Sequence, residues 1–379
     1  MNGKKAGLVV GAAGVLAGVV GLGVLAAPAG AGPAPVLPKV SAEDLVQSVL
    51  TAKSVPALAG TVTATNNLGL PSVPGLGQAS RFLANGSTST QVWTDGKGRG
   101  RVSLPSGTSE ETIVFDGATV WDWTSSNNTV HKSTGAPDKA HPDKPSSGEV
   151  ATDPAQAAKQ VIGLISKDST VKVDGTATVA GRSAYELVLA PKPTERTMLR
   201  EVRIAVDSET KIPLQLSVLA NGNAQPVAQI GFSKLEIAAQ DPALFTFTPP
   251  SNAKVVTGDA QDQAKQDQAK QKAGEAKGQL PEPQIVGSGW DTVLVEKLPA
   301  GTLSGSAGGS EQSSTANKGG QSIDPSRLLG QLGKRVTGPW GSGYEISTAV
   351  GTALILDDGR IAVGAVPEQA LTDALASVK

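Results

Sequence analysis

Tyr185-Glu186-Leu187-Val188-Leu189, Val202-Arg203-Ile204-Ala205-Val206 and Leu214-Gln215-Leu216-Ser217-Val218 decide the fold. In each, apolar side chains recur at every second position, and polar ones such as Glu186, Arg203, Gln215 and Ser217 stand between them. A period of two puts alternate side chains on opposite faces, so each stretch is predicted to be a half-buried strand. A turn at Asp207 to Lys211 separates the last two.

The same pattern extends in both directions. From Gly60, Val62 and Ala64 alternate with threonines. Gln91–Thr94 runs into Asp95-Gly96 and Arg101–Leu104 comes out. Thr112–Phe115 turns at Asp116-Gly117 into Thr119–Trp123, and Ser125–Asn128 turns again before Thr129–Lys132. Asp-Gly pairs between alternating runs are strong hairpin signals. Val227–Ile237 continues the strands through Ile230 and Phe232, and Phe245 and Phe247 lead into Pro249-Pro250, which closes the unit.

Two helices are predicted beside these strands. Ser41 is an N-cap, with Asp44 three residues on and Leu45, Val46, Val49 and Leu50 forming one apolar stripe that ends near Lys53. Asp153 caps a second, Pro154 fits its first position, and Ala158, Val161, Ile162 and Ile165 make the stripe. Gly135–Val150, polar and proline-rich, reads as an exposed loop before it. Stripes of this kind must be buried on a sheet face, so the fold class is α+β.

The flanks divide the chain. Lys4 and Lys5 precede Ala6–Ala27, a run without a polar side chain, and Ala27/Ala29 and Ala29/Ala31 have signal-peptidase spacing. Residues 1–31 are therefore read as a signal peptide or a retained membrane anchor, since the run is long enough to span a bilayer. The chain is expected to be exported, to the outer face of the cell membrane or beyond. Residues 32–40 form a spacer and 41–256 the main domain. Residues 257–283 form a charged, Gln-rich linker in which Gln261–Lys265 repeats as Gln266–Lys270. Residues 284–379 are a small α+β unit with a Gly/Ser-rich loop, 301–322, expected to be disordered. That unit shows a Val293–Val295 strand and a helix opening at Asp324-Pro325. An Ala353–Leu356/Ile361–Val363 hairpin follows, with a type I′ signature at Asp358-Gly359, then a last helix from Pro367. Its size predicts that it docks on the main domain.

Composition excludes more than it assigns. There are 33 Lys and Arg against 34 Asp and Glu, a net charge of −1, so no basic face for nucleic acid is expected. Without cysteine there is no disulfide, thiolate metal site or lipobox anchor, and two histidines, His131 and His141, leave most metal and triad chemistry out of reach. No enzyme activity, metal or cofactor is expected. Gly98-Arg99-Gly100-Arg101 reads as a hairpin with solvated arginines, and Asp207 and Glu209 as turn residues. Trp121 and Trp123 point to one side of a strand and, with Trp93 and Tyr185, fit either a filled sheet core or an apolar pocket lined by rings.

Asp116-Gly117-Ala118-Thr119-Val120-Trp121-Asp122-Trp123, followed by Asn127-Asn128 and Val130, resembles the "DG-x-x-x-W-x-Y/W…N…V" segment of the LolA-like lipoprotein-carrier superfamily. The order that follows is similar too: Tyr185–Leu189, Val202–Asp207 with Thr210-Lys211-Ile212-Pro213-Leu214, Phe232, then Asp241-Pro242 with Phe245-Thr246-Phe247-Thr248-Pro249-Pro250. The resemblance spans residues 41–256. That superfamily also holds mycobacterial-type lipid-binding lipoproteins and the N-terminal domain of RseB-like sigma-factor regulators, and Leu354–Leu375 faintly resembles the RseB-like C-terminal end. The resemblance implies an unclosed, strongly curved antiparallel half-barrel with helices over its concave face and an apolar cavity for lipid or lipoprotein acyl chains. On it, the expected lining is Val49, Ile162 and Ile165 on the helices and Trp121, Trp123, Leu187, Leu189, Leu214 and Leu216 on the sheet. The leading expectation is a monomeric, non-enzymatic carrier. The alternatives are an RseB-like envelope-stress regulator that binds an anti-sigma factor, and a structural envelope protein without ligand. A membrane protein partner, transporter or anti-sigma factor, follows from the first two.

Overall fold

The computed structural model describes residues 34–52, 55–69, 86–134, 166–259, 283–297 and 325–378. The leader run, the predicted helix at 153–165, the 257–283 linker beyond Asp259 and the 301–322 loop lie outside the described residues. Helix α1 is Ala42–Thr51, and the strands that follow are β1 Leu58–Asn66, β2 Gly86–Thr94, β3 Gly100–Ser106, β4 Ser109–Phe115, β5 Thr119–Thr124 and β6 Thr129–Thr134. Then come β7 Ser169–Val179, β8 Arg182–Pro191, β9 Leu199–Asp207, β10 Pro213–Ala220, β11 Ala228–Glu236 and β12 Lys254–Asp259.

These twelve strands form one open sheet in the order β12-β6-β5-β4-β3-β2-β1-β11-β10-β9-β8-β7. Two meanders run in opposite directions from the centre, where β1 pairs antiparallel with β11. Every pairing is antiparallel except β12 with β6, which is parallel because the chain re-enters that edge from across the sheet. The sheet runs on to Asp259, three residues past the boundary expected at 256. Close backbone approach selects glycine at the centre: a Cβ on Gly231 would lie 2.5 Å from the Leu214 carbonyl oxygen.

The second unit is a six-stranded sheet, β13-β14-β18-β17-β16-β15. Its elements are β13 Gln284–Val286, β14 Val293–Lys297, α2 Pro325–Leu332, β15 Lys334–Gly338, β16 Gly341–Ser347, β17 Thr352–Leu356, β18 Arg360–Gly364 and α3 Glu368–Ser377. One face packs on α3 through Val293, Val295, Leu354, Leu356 and Ala362 against Leu371 and Leu375. At the expected type I′ turn only Gly359 has a positive φ, 87°, and its N–H bonds the Leu356 carbonyl. That corrects the reading to a longer hairpin loop with glycine at the left-handed position.

The small unit docks on the large one, as its size requires. Thr197 Oγ1 (2.7 Å) and the Met198 N–H (2.9 Å) both donate to the Ala365 carbonyl. The Ala349 N–H donates to the Leu68 carbonyl, 3.0 Å away, and Arg196 pairs with Asp373.

Candidate functional site: the apolar face beneath the first helix

Ser41 starts α1 as its composition predicts. Its Oγ accepts from the Asp44 N–H (3.1 Å) and donates to Asp44 Oδ2 (2.7 Å). With the start fixed there, Ala42, Leu45, Val46 and Val49 fall on one side at helical spacing. They pack on strands β7 to β10, and Leu45 is only 1% exposed.

The floor beneath is a row of directly paired side chains. Val173 faces Leu187, Leu187 faces Ile204 and Ile204 faces Leu216, each on the next strand. A second row runs from Val171 through Leu189 to Val202. Tyr185 and Val206 continue the cluster, with the Lys211 ammonium 5.5 Å from the Tyr185 ring centroid. Trp290, from a single 3-10 turn in the small unit, closes it. Its indole N–H donates to Ser169 Oγ (2.6 Å) and its backbone N–H to Glu195 Oε2 (3.0 Å). The opposite face of the same strands is charged: Arg203 bonds both Glu186 and Glu201, and Lys172 pairs with Asp174.

The structure gathers part of the expected lining and separates the rest. Leu187 and Leu189 are buried, and Leu216 and Val49 half-buried, in this one cluster. Leu214 belongs instead with Leu58, Val62, Val92 and Phe232, and a register irregularity between Pro213 and Gln215 parts it from Leu216. Trp121 and Trp123 do not join either cluster. Pairing carries Trp121 through Val114, Arg101 and Trp93 to Ala59, while Leu216 reaches β1 through Ile230 at Ala64. Ala59 and Ala64 differ by an odd number, so the tryptophans lie on the opposite face from Leu187, Leu189 and Leu216. They do not meet Tyr185 in one pocket. Ile162 and Ile165 lie outside the described residues.

The tryptophan end has a core of its own. The Trp121 ring lies 5.8 Å from that of Phe247, its indole N–H donates to Asp116 Oδ2 (3.2 Å), and Trp123 donates to Asn128 Oδ1 (3.2 Å). Phe245 is buried, with the Arg99 guanidinium 5.2 Å from its ring centroid. Arg99 also bonds Asp95, which corrects its reading as solvated. Burial alone would raise the Asp95 carboxyl, but bonds from the Arg99 side chain and the Lys97 and Arg99 N–H groups bring it to about 2. Asp207 and Glu209 are more than turn residues. Arg182 grips Asp207 with two bonds of 2.8 Å and Glu209 with one of 2.9 Å, fastening the β7–β8 turn to the β9–β10 turn. Burial pushes Asp207 up, and its bonds from Arg182 and Thr210 overcome that and hold it below the usual carboxylate range.

Leu45, Ile204, Val206 and Trp290 belong to the site and were not among the expected lining residues. The first three follow the periodicities that located their neighbours. Trp290 carries no such signal, since it lies beyond the linker. Among the described residues no group of His, Asp and Glu could hold a metal, and no helix is long and apolar enough to cross a membrane. The chemistry on offer beneath α1 is apolar contact.

No protein-family model matches the chain, and no curated protein matches it either. Among solved structures it is similar to a chain of the Pseudomonas aeruginosa MucA/MucB complex, with 16% identity over 88% of this chain and 96% of that one and a TM-score of 0.39. It is also similar to an uncharacterized conserved protein from Thermus thermophilus, at 13% identity over 57% of this chain and 99% of that one, TM-score 0.32. A LolA superfamily protein from Nitrosomonas europaea is similar at 14% identity over 55% of this chain and 99% of that one, TM-score 0.20.

Proposed function

We propose that the chain is an extracytoplasmic, non-enzymatic binder of acyl chains, held between α1 and the β7–β10 face. The observation that carries this reading is the uninterrupted apolar floor Val173-Leu187-Ile204-Leu216 under a short helix, with Lys172, Asp174, Glu186 and Arg203 on the other face. Acyl chains need no polar chemistry to be retained, since each methylene taken out of water contributes about 0.8 kcal/mol. The leader reading places the domain outside the cytoplasm, and the sequence resemblance supplies the ligand class, lipid or lipoprotein.

Native mass spectrometry of the chain purified from a membrane-containing host tests this. A stoichiometric adduct of lipid mass is expected, and Leu187→Asp should lose it while keeping the fold. A bare protein mass that stays unchanged after lipid is offered would overturn the proposal.

A second reading is regulation through a membrane partner such as an anti-sigma factor. The docked second unit favours it, because a carrier has no need of one. A pull-down from envelope extracts distinguishes the two: capture of a membrane-spanning partner supports regulation.

A further inference from the structure

Met198 stands where the two units meet, and both its backbone and its side chain are engaged there. It ends the loop between β8 and β9, one residue before Leu199. Its N–H donates to the Ala365 carbonyl of the small unit, and its carbonyl accepts from the Asn221 N–H of the large one, both at 2.9 Å. Its thioether reaches into the small unit, where Thr352 Oγ1 donates to Sδ from 3.6 Å. Thr352 is buried and pairs with Gly364 on the neighbouring strand, next to Ala365. One residue thus grips the start of β17 with its side chain and the end of β18 with its backbone.

The sulfur is also chemically singular. The chain has no cysteine and two methionines, Met1 and Met198, so Met198 carries the one thioether among the described residues. A thioether is a weak hydrogen-bond acceptor, so the Thr352 contact leaves its lone pairs open to an electrophile. Met198 is half-buried rather than sealed, so a molecule as small as a peroxide reaches it. Oxidation turns a flexible apolar side chain into a polar one. On the side facing Thr352, two atoms 3.6 Å apart leave no room for a further oxygen between them. On the other side, the S=O group stands inside the contact between the units and demands hydrogen bonds that the thioether did not. Either product favours separation of the units.

We propose that Met198 is a reversible oxidation site through which hydrogen peroxide loosens the small unit from the large one. The peroxide O–O bond breaks and one oxygen bonds to Sδ. The sulfur is oxidised by two electrons to the sulfoxide, and the reduced peroxide leaves as water. Methionine sulfoxide reductases reverse the change. The proposal rests on the geometry of the junction and on neither functional reading above, so the lipid adduct and the pull-down test those independently.

The test treats the full chain with hydrogen peroxide beside a free methionine peptide as internal standard, and peptide mass mapping locates the added oxygen. Docking is read from amide exchange at Ala349, whose N–H donates to the Leu68 carbonyl across the junction, a bond that Met198 does not make. Met198 should gain one oxygen, and exchange at Ala349 should rise about tenfold, as a polar group left unsatisfied at the junction predicts. The reductases should return it to its starting rate. Met198→Leu nearly keeps the volume and has no sulfur, so its exchange should not respond to peroxide. Met198→Gln, which puts a polar side chain of similar length there, should speed exchange without peroxide. A Met198 that stays unmodified while the standard is oxidised overturns the proposal. So does an oxidised chain whose exchange at Ala349 is unchanged, or equal acceleration by peroxide in Met198→Leu. If either variant fails to fold, the native chain before and after the reductases still decides.

Discussion

At the β7–β10 end of the large sheet, a regular helix covers one face, seated by an N-cap and a stripe at helical spacing. At the β4–β6 end the opposite face is covered by residues 242–250, which form one 3-10 turn and then extended chain ending in two prolines. The first end carries a smooth aliphatic floor with its charges turned away. The second carries tryptophans, each with its indole N–H satisfied by a neighbouring Asp or Asn. Rings with satisfied polar ends suit a core that is filled and fixed. Aliphatic rows under a short helix suit a face that can part from its cover, so the acyl-binding reading is placed at the first end.

Several substitutions would break or sharpen that contrast. The largest effect is expected at Asp207, whose side chain is 1% exposed and takes four bonds from Arg182 and Thr210. Asp207→Ala leaves Arg182 without its buried partner and should cost about 3–5 kcal/mol in urea unfolding. A loss under 1 kcal/mol would show that the clamp between the two turns is dispensable. Next come the two covers. Phe245→Ala should cost about 3–5 kcal/mol at the filled end, and Leu45→Ala about 2–4 kcal/mol at the helix end. If α1 lies over space that a ligand takes, added acyl lipid should restore part of the Leu45→Ala loss and none of the Phe245→Ala loss. Equal rescue of both would erase the distinction between the ends.

Much of this was legible in the sequence, and the limits are physical. Alternation located the strands around Leu187, Ile204 and Leu216, and Ser41 located α1, because those signals are local. Alternation says that Trp121 and Trp123 share a face with each other. It cannot say that they face away from Leu187, because that depends on pairing across intervening strands and on bulges at Thr61/Val62 and Pro213/Gln215. The β1–β11 pairing joins residues some 170 positions apart, as between Thr63 and Ser233, and no local pattern encodes it. β15 and β16 carry no clear local signal, because Gly338-Pro339-Trp340-Gly341 between them reads as loop while the flanking strands are short. Trp290 had no signal, since its role exists only once the small unit has docked.

Acid sharpens the comparison from another side. Asp95 and Asp207 have lower carboxyl pKa values in the fold than in the unfolded chain, so both stabilise it fully above the ordinary carboxylate range. That contribution is lost as pH falls toward the native values, about 2 for Asp95. Asp95→Asn should therefore cost about 1 kcal/mol at pH 7, the figure reduced because Arg99 is over a third exposed to screening water. The gap between variant and native chain should close as the pH approaches 2. A gap that persists unchanged there would mean that packing, not charge, holds that turn.

The smallest effect tests how the two units hold together. Arg196 and Asp373 form an ion pair across the junction with both side chains about half exposed, so Arg196→Ala should change stability by no more than about 1 kcal/mol. Trp290 is the stronger tie, because its indole is bonded to buried Ser169 and its ring lies in the cluster under α1. Trp290→Ala should loosen the small unit far more than Arg196→Ala does, as read by faster amide exchange at Met198, whose N–H bonds Ala365 across the junction. It should also alter lipid retention, since the same ring closes the apolar floor. Equal exchange at Met198 in the two variants would mean that the junction is held without Trp290, by the backbone contacts of Met198 to Ala365 and of Ala349 to Leu68, and the small unit would then have no physical route to sense what lies beneath the helix.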